Sequence, residues 1–476
     1  MAERSVDRNP MNSQRYRRNL WLCVALITTA MFGLSCSSLP TIVPDLAHRP
    51  SRPIPIDGAH GPLSAERSRA ILERLSRGGQ PTDIFSRHLA REDAIVGSPL
   101  TTGNAVQLLR DGPATYRAML GAIAAARDHI NMETYILDDD AVGRQFAQAL
   151  MDKQAHGVQV NLLRDSAGTF STPAAFFQRL SDAGVQVLEF NPVNPLTARK
   201  GWQWNQRNHR KLLVVDGHVA FLGGINISSV YSGGSSGQAQ KLDPDAALAW
   251  RDTDLQLQGP VVAELQKLFM AAWHGQRGPP LQPRAYFPHL PAMGTQVVRA
   301  IGSSPEEAYS LIYATLLSAI GSAETSVRIT NAYFAPDPQL LAALVAAAAR
   351  GVEVMLILPA RTDSWLVFHA GRSHYARLLQ AGVKIYERRG VVLHSKTALV
   401  DGVWATVGST NLDWRSFLHN HELNAVMLGA EFGQQLQTMF EQDLAASDAI
   451  DLATWQRRSP VLHVQEWFGR LWEYWL

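Results

Sequence analysis

The most constraining feature of the sequence is a pattern of strands and helices that occurs twice. The segments 129–163 and 326–358 each begin with an apolar stretch of strand length, continue through a helical pattern, and reach a glycine, Gly157 or Gly351, before a valine-rich strand. A second pair of matching segments follows, "LSDAGVQVLEF" in the first copy and "LLQAGVKIYER" in the second. Strands that alternate with helices of this length indicate βαβ units. The chain is therefore predicted to contain two similar α/β domains.

The predicted fold class is α/β, in which each domain has a mixed, mostly parallel sheet flanked by helices and the two domains pack about a pseudo-two-fold axis. We place the domains at residues 104–280 and 281–476. Residues 37–103 are rich in Pro, Arg and Ser and contain one helical pattern, so they are predicted to form a linker or a strap across the body.

Residues 1–36 carry the pattern of an export signal. Arg15, Arg17 and Arg18 precede an apolar run that extends from Leu20 to Leu34, and small residues follow it. The run is shorter than the roughly 20 residues that a membrane-spanning helix needs. Its end resembles a bacterial lipoprotein signal with Cys36 as the lipidated residue. We expect export to the cell envelope of a bacterium or anchoring in its membrane, with an uncleaved anchor or a buried helix as alternatives.

Charge and cysteine content narrow the classes of function. The sequence has 44 Lys and Arg residues against 42 Asp and Glu residues, so no basic excess points to nucleic acid. Both cysteines, Cys23 and Cys36, lie near the N-terminus, so neither a disulfide framework nor a cysteine-bound metal is expected in the folded body. No cluster of Asp, Glu and His indicates a metal, and no cofactor is expected.

Each copy carries a histidine two residues before a lysine on a predicted strand, His209 and Lys211 in the first copy and His394 and Lys396 in the second. Because side chains at i and i+2 share a face of a strand, each pair should point the same way. Two such pairs could surround one phosphate. The lysines would stabilise charge in the transition state. One neutral histidine would attack phosphorus, and the other would give a proton to the leaving alcohol.

Four further residues follow these pairs at matching positions. Asp216 and Asp401 lie seven residues after the histidines, each in a Val-Asp-Gly sequence typical of a hairpin turn. They either form the turn or orient and balance the basic residues. The sequences "GGIN" and "GSTN" follow, and their glycines are expected to let backbone N–H groups approach an anion. Asn226 and Asn411 would donate further hydrogen bonds to it.

The sequences "HRKLLVVDG" and "HSKTALVDG" resemble the paired His-x-Lys-x(4)-Asp motifs of the phospholipase D superfamily, and "GSTNLDWRSFLHNHELN" resembles its bacterial cardiolipin synthase branch. The resemblance covers roughly residues 104–446 and implies two phospholipase D-like domains. It implies that the histidines, lysines and asparagines contact phosphate, with His209 as the nucleophile and His394 as acid and base. It also implies that Glu422 supports the histidine of the other copy, and Asp252 is its counterpart.

The resemblance leads us to expect a membrane-associated phosphatidyltransferase that makes cardiolipin from phosphatidylglycerol and a second phospholipid through a phospho-histidine. Its expected partners are phospholipids and a membrane surface. The alternative is a phospholipase D that hydrolyses membrane phospholipids. A nuclease of the superfamily is less favoured because the charge is near neutral, and a lipid-binding scaffold is less favoured because both histidines and both lysines are present.

The first copy has an insertion before its motif. His209 lies 25 positions after Gly184, whereas His394 lies 12 positions after Gly382. The added segment is either an ordinary surface loop or a lip that contacts lipid headgroups through basic and aromatic residues. These residues are Arg199, Lys200, Trp202, Trp204 and Arg207.

Two other features leave alternatives open. Arg415 and Ser416 either touch the headgroup or hold their own loop in place. The C-terminal sequence "VQEWFGRLWEYWL" places apolar residues on one helical face, which indicates either a membrane-facing helix or a helix docked on the core. These residues are Trp467, Leu471, Trp472 and Trp475.

Overall fold

The computed structural model of the chain describes residues 54–78, 82–194, 202–234 and 248–476. The chain divides into two compact units, Met1–Ile42 and Val43–Leu476, and all described residues belong to the second. Some predictions concern residues outside the described ones, namely the export signal of residues 1–36 with Cys23 and Cys36, and Arg199 and Lys200 of the proposed lip. In the described ranges, no helix has both the length and the apolar character needed to cross a membrane.

The first half of the fold is built on a seven-stranded sheet. The strands of this half are β1 (Ile56–Gly58), β2 (Gly61–Pro62), β3 (Leu100–Arg110), β4 (His129–Thr134), β5 (Gln159–Asp165), β6 (Gln186–Phe190), β7 (Arg207–Asn208), β8 (Leu212–Val215), β9 (Val219–Gly223), β10 (Trp250–Arg251) and β11 (Thr253–Gln258), of which seven form the sheet. The sheet order is β3-β11-β9-β8-β4-β5-β6. Strands β8 and β11 run opposite to the others, so the parallel pairs are β4–β5 and β5–β6.

The second half repeats this order. Its strands are β12 (Gln296–Ser303), β13 (Ser326–Asn331), β14 (Phe334–Ala335), β15 (Glu353–Pro359), β16 (Lys384–Arg388), β17 (Val392–Leu393), β18 (Lys396–Val400), β19 (Trp404–Gly408), β20 (Leu412–Asp413), β21 (Asn420–Leu428) and β22 (Ser447–Ala449). The sheet order is β12-β21-β19-β18-β13-β15-β16, with β22 added beside β16. Strands β3 and β12 pair antiparallel and join the two sheets. The predicted α/β fold with two similar halves is confirmed.

Helices cover the faces of both sheets. The α-helices are Ala65–Arg77, Leu89–Ile95, Asp111–Ala125, Ala141–Ala155, Ala174–Asp182, Val261–Gly275, Leu311–Ser322, Pro338–Ala349, Trp365–Arg372, Tyr375–Gln380, Trp414–Leu418, Ala430–Ala445, Leu452–Gln456 and Pro460–Leu471. A π-helix spans Ile84–His88, and short 3-10 turns span Ser229–Tyr231 and Glu473–Trp475. Several helices begin after a residue whose side chain caps the first turn. Asp140, for example, accepts a hydrogen bond from the Gly143 N–H at 2.9 Å.

The two halves share one hydrophobic core. Phe269 and Trp273 of one helix and Phe432 of the equivalent helix are fully buried, and they belong to a single cluster with strand residues of both sheets. Interiors packed in this way resist relative movement of their parts. The strand ends that carry the motif residues are therefore held in a fixed arrangement. The domain boundaries placed from the sequence stay a prediction.

Part of the segment 37–103 packs into the second half, and its role as a linker or a strap stays a prediction. The carboxylate of Glu92 is fully buried and lies 2.9 Å from His88 Nε2 and 3.2 Å from Arg299 Nη1, and it accepts a hydrogen bond from Trp404 Nε1 at 3.0 Å. Burial alone would raise the pKa of Glu92, but its bond to His88 and the charge of Arg299 hold it below the usual value.

Candidate active site

Two short strands, each paired with a strand of the opposite half, position the motif histidines. His209 follows β7, which pairs in parallel with the start of β21, and its backbone N–H donates to the carbonyl of His421 at 3.0 Å. His394 follows β17, which pairs in parallel with β10, and its N–H donates to the carbonyl of Arg251 at 2.7 Å. Each histidine is therefore anchored to the backbone of the opposite half.

The supporting carboxylates cross in the same way. Glu422, from the second half, lies 3.0 Å from Nδ1 of His209, and Asp252, from the first half, lies 2.6 Å from Nδ1 of His394. Both carboxylates are fully buried. A carboxylate on Nδ1 fixes the orientation and tautomer of an imidazole and leaves Nε2 as the reactive nitrogen. Glu422 and Asp252 thus have the geometry of positioning residues.

The two lysines complete what we call the basic cluster, which consists of His209, Lys211, His394 and Lys396. Lys211 Nζ donates to the carbonyl of His209 at 2.6 Å. Lys396 Nζ donates to the carbonyl of His394 and lies 2.9 Å from its Nδ1. Burial lowers the pKa of Lys211 to about 7 and that of Lys396 to about 8, although Glu422 and Asp252 act in the opposite direction.

Both histidines are held neutral in the absence of substrate. Burial lowers the pKa of His209 to about 4, although Glu422 opposes this shift. Burial and the charges of Lys396 and Lys211 lower the pKa of His394 well below its usual value. The lysine of each half therefore acts on the histidine of the other, as expected if the two motifs share one site. A neutral imidazole is the form that can act as a nucleophile.

The motif asparagines of the two halves differ in their hydrogen bonds, and a glycine before Asn226 packs against a supporting acid. Both ends of the Asn226 amide are engaged, since Nδ2 donates to the Tyr231 hydroxyl at 3.0 Å and Oδ1 accepts from the Ile136 N–H at 3.1 Å. Asn411 Oδ1 is buried without a hydrogen-bond partner among the described residues. A Cβ at Gly224 would lie 2.2 Å from Asp252 Oδ1. Glycine is thus required here by close packing against the supporting acid, and the approach of backbone N–H groups to an anion stays a prediction.

Asp216 and Asp401 lie outside the basic cluster. Each follows a strand whose other end carries the motif lysine, about 16 Å away at 3.3 Å per residue. Each has a positive φ, 53° and 51°, as in a tight turn. The Asp216 carboxylate accepts from the Asp128 N–H at 2.8 Å, and the Asp401 carboxylate accepts from the Thr325 N–H at 2.8 Å. These contacts favour the turn role over a role in orienting the basic residues, and a catalytic role of Asp216 and Asp401 stays a prediction.

Aromatic rings line the cluster. The ring of Tyr135 lies 5.0 Å from that of His209, and the rings of Trp250 and Tyr231 lie 5.0 and 5.8 Å from that of His394. The Tyr231 hydroxyl also lies 3.3 Å from His394 Nδ1. Tyr231 was not predicted from the sequence, because only the fold brings it beside a histidine 163 residues later.

A second residue that was not predicted from the sequence is the buried acid Asp254. Its Oδ1 accepts from the Ile225 N–H at 3.1 Å, and its Oδ2 has no hydrogen-bond partner in the part of the chain that the structure describes. Burial, together with the nearby charge of Asp252, raises the pKa of Asp254 to about 8. The equivalent residue of the second half is Asn424, because Asp254 pairs with Gly223 as Asn424 pairs with Gly408. The alternation of acids in "WRDTD" was the available signal.

The remaining predicted residues lie in the inserted segment and in helix Trp414–Leu418. Arg415 donates to Asn205 Oδ1 at 3.1 Å and thereby holds the inserted segment, while the Ser416 N–H donates to Asp413 Oδ1 at 2.7 Å. The Ser416 contact matches the loop-holding alternative, whereas Arg415 holds a segment of the other half. Trp204 is 70% exposed. Trp202 Nε1 donates to the Pro192 carbonyl at 2.7 Å.

The family model described as "Cardiolipin synthase, PLD-like domain" matches residues 119–272 and 316–444, which contain both motifs. The chain belongs to this cardiolipin synthase family. Among its relatives, a cardiolipin synthase of Geobacillus thermodenitrificans is 35% identical over 85% of the chain and 78% of the relative. Cardiolipin synthase A of Pseudomonas putida is 38% identical over 74% of the chain and 71% of the relative.

A solved structure supports the fold. The phosphatidylserine synthase of Haemophilus influenzae superposes with a TM-score of 0.58 at 14% identity and covers 81% of this chain and 99% of that one. At this identity the likeness concerns the fold alone. The predictions of a phospholipase D superfamily enzyme and of its cardiolipin synthase-like branch are confirmed.

No group of three or more His, Cys, Asp or Glu residues in the described part of this cardiolipin synthase family member is placed to hold a metal ion.

Proposed function

We propose that the chain is a phosphatidyltransferase that makes cardiolipin from phosphatidylglycerol and a second phospholipid through a phospho-histidine intermediate. The observation that carries this proposal is the crossed arrangement of the basic cluster, in which Glu422 and Asp252 each support the histidine of the opposite half. One site thus has two oriented imidazoles, one to attack phosphorus and one to move protons. The names of the relatives support phospholipids as the substrates.

In the first step, Nε2 of His209 attacks the phosphorus of phosphatidylglycerol. A P–N bond forms, the P–O bond to the glycerol headgroup breaks, and His394 gives its proton to the departing oxygen. The incoming phosphodiester supplies the negative charge that raises the pKa of His394 and lets it hold that proton. His209 is assigned as the nucleophile from the family resemblance.

In the second step, the hydroxyl of another phospholipid attacks the same phosphorus. It gives its proton to His394 as the P–N bond to His209 breaks. The two steps replace one phosphodiester bond by another and return both histidines to their starting states. Phospholipase D hydrolysis differs only in that water is the acceptor.

Lys211 and Lys396 have the positions needed to stabilise the phosphoryl oxygens. They are buried, so their charges act through a medium of lower dielectric than water and favour a transition state with spread negative charge. Phosphate would in turn raise the lowered pKa of each lysine, because it stabilises the charged form.

We further propose that the enzyme acts at a membrane of the bacterial cell envelope, where its lipid substrates reside. Anchoring through residues 1–36, or through lipidation of Cys36, stays part of this proposal, as does contact of the inserted segment with headgroups. Exposed Trp204 supports this contact, since indole rings favour the boundary between water and lipid.

Lipid mass spectrometry tests the proposal in cells that lack their own cardiolipin synthases. The cells would express the chain, its His209→Ala variant, or a His218→Ala variant that removes an exposed histidine at the far hairpin turn. We expect cardiolipin with the chain and with His218→Ala, but not with His209→Ala. Phosphatidic acid without cardiolipin would instead identify the hydrolase. Unchanged lipids, with the protein in the membrane, would overturn both.

A further inference from the structure

The C-terminal helix Pro460–Leu471 exposes an unusual amount of apolar surface on one side. At about 100° per residue, five of its residues fall within an arc of about 120°. We call these residues the apolar stripe, and they are Val461 (64% exposed), Val464 (63%), Trp467 (62%), Phe468 (43%) and Leu471 (43%). Trp475, in the turn that follows, is 61% exposed. Large contiguous apolar patches of this kind mark interaction surfaces.

The stripe is exposed although the helix itself is firmly docked. A Cβ at Gly469 would lie 2.7 Å from the backbone nitrogen of Ala370, so the helix backbone lies directly against helix Trp365–Arg372. On the docked side, Glu466 pairs with Arg458, at 3.0 Å for the Nη2–Oε2 contact. The core contacts therefore fix which side faces outward. One side of the helix is docked on the core, and the opposite side is exposed.

Two hydrogen bonds of Arg415 connect the turn after the stripe to the inserted segment. The carbonyl of Leu476 accepts a hydrogen bond from the Arg415 N–H at 2.7 Å. The Arg415 guanidinium in turn donates to Asn205, the neighbour of exposed Trp204. His374 Nε2 lies 2.8 Å from the Glu473 carboxylate and fixes the terminal turn. Hydrogen bonds thus link the turn after the stripe to the inserted segment beside Trp204.

We propose that the apolar stripe lies in the interface of a phospholipid bilayer and holds the inserted segment around Trp204 at the level of the headgroups. This inference rests on the proposed function, because a substrate lipid must reach the basic cluster from a bilayer. The stripe combines indole and phenyl rings with aliphatic residues, a composition suited to the boundary of the acyl chains. Exposed Arg470, beside Leu471, fits contact with the anionic headgroup of phosphatidylglycerol.

A two-substrate assay on the purified full-length chain tests the stripe. The variant Val464→Glu/Trp467→Glu places two charges on it, and Phe287→Glu is the control. Phe287 is also exposed, but it lies beside Pro288, which packs on Gly217 at the hairpin turn remote from Lys211. Activity would be measured on phosphatidylglycerol in vesicles and on a short-chain phosphatidylglycerol dispersed as monomers.

We expect the stripe variant to lose vesicle activity by about tenfold or more, because buried charge opposes interfacial binding, and to keep the wild-type rate on the monomeric lipid. Phe287→Glu should match the wild type on both. Equal vesicle activity in all three proteins would overturn the stripe proposal alone. A wild type inactive on both substrates would instead overturn the proposed function.

Crosslinking supplies an independent readout. A photoactivatable phospholipid in vesicles should label peptides from residues 460–476 of the wild-type chain and leave peptides around Phe287 unlabelled. Crosslinks from the stripe to a second copy of the chain, or to its own residues 1–36, in place of lipid would overturn the proposal and identify the actual occupant.

Discussion

Glu422 lies 3.0 Å from Nδ1 of His209, although the two residues belong to different halves of the molecule and are 213 positions apart. The relationship is repeated between Asp252 and His394. Each half therefore carries an imidazole that only the other half can orient. The site consequently depends on the packing that joins the halves, and a separate half would lack an oriented histidine.

Glu422→Gln should lower kcat by about 10²- to 10⁴-fold, because an amide N–H facing Nδ1 would select the wrong imidazole tautomer. Asp252→Asn should act in the same way through His394. The matched control is Glu306→Gln, which removes a carboxylate 3.5 Å from a different histidine, His421. The measurement is kcat for transfer from phosphatidylglycerol, with circular dichroism to verify the fold. A Glu422→Gln enzyme as fast as Glu306→Gln would refute the positioning role.

Much of the site was predictable because it follows from strand geometry and repetition. A spacing of two residues puts His209 and Lys211 on the same face of a strand. The repeated segments indicate that a second such pair occurs in a similar half. The crossed support by Glu422 and Asp252 came from the family resemblance. It depends on the short parallel pairs β7–β21 and β10–β17, which join segments distant in sequence.

The remainder could not be predicted because it depends on three-dimensional packing. Tyr231 reaches His394 only through the fold, and the requirement for glycine at Gly224 arises from the position of Asp252 across the sheet. Residues 37–103 were predicted to be a linker or a strap from their composition and one helical pattern. The buried ion pair between Glu92 of this segment and Arg299 has no local sequence signal.

The lysine pKa values predict that phosphodiester binding takes up protons. The pKa of Lys211 is lowered to about 7 and that of Lys396 to about 8, so both lose charge as the pH rises from 6 to 9. Dimethyl phosphate keeps a single negative charge over that range, and its affinity should fall as the pH rises. Calorimetry in two buffers with different ionisation enthalpies would report the proton uptake. In Lys211→Met the uptake should decrease, and a constant wild-type affinity from pH 6 to 9 would contradict the prediction.

Asp254→Asn should make stability less dependent on pH. The folded-state pKa of Asp254 is raised to about 8, far above the value of 3.8 for the free carboxyl. Between these values the folded state holds one more proton than the unfolded state, so the free energy of unfolding falls as the pH rises, by up to about 1.4 kcal/mol per unit. Asparagine cannot ionise. It also occupies the equivalent position of the second half, Asn424, so the fold accommodates it there.

Denaturant unfolding at pH 6 and pH 9 would measure this effect. Asp254→Asn should lose less stability than the wild type between the two pH values. The reciprocal variant Asn424→Asp introduces a second buried carboxyl and should lose more. Identical pH slopes in the wild type and Asp254→Asn would show that Asp254 is ionised in the folded protein.

Asp401→Ala should weaken the fold without removing catalysis by the folded fraction. The Asp401 carboxylate accepts backbone N–H bonds from Thr325 at 2.8 Å and Ser326 at 2.9 Å, and the Thr82 hydroxyl of the segment 37–103 donates to it at 2.5 Å. Removing such a buried acceptor costs about 2–3 kcal/mol for hydrogen bonds to a charged group. We expect a lower Tm, with kcat per folded molecule within about threefold of the wild type, since Asp401 lies about 16 Å along β18 from Lys396.

Asp216→Ala is the matched variant of the first half. If either variant kept its Tm but lost turnover, the aspartates would act in the chemistry rather than in the turns.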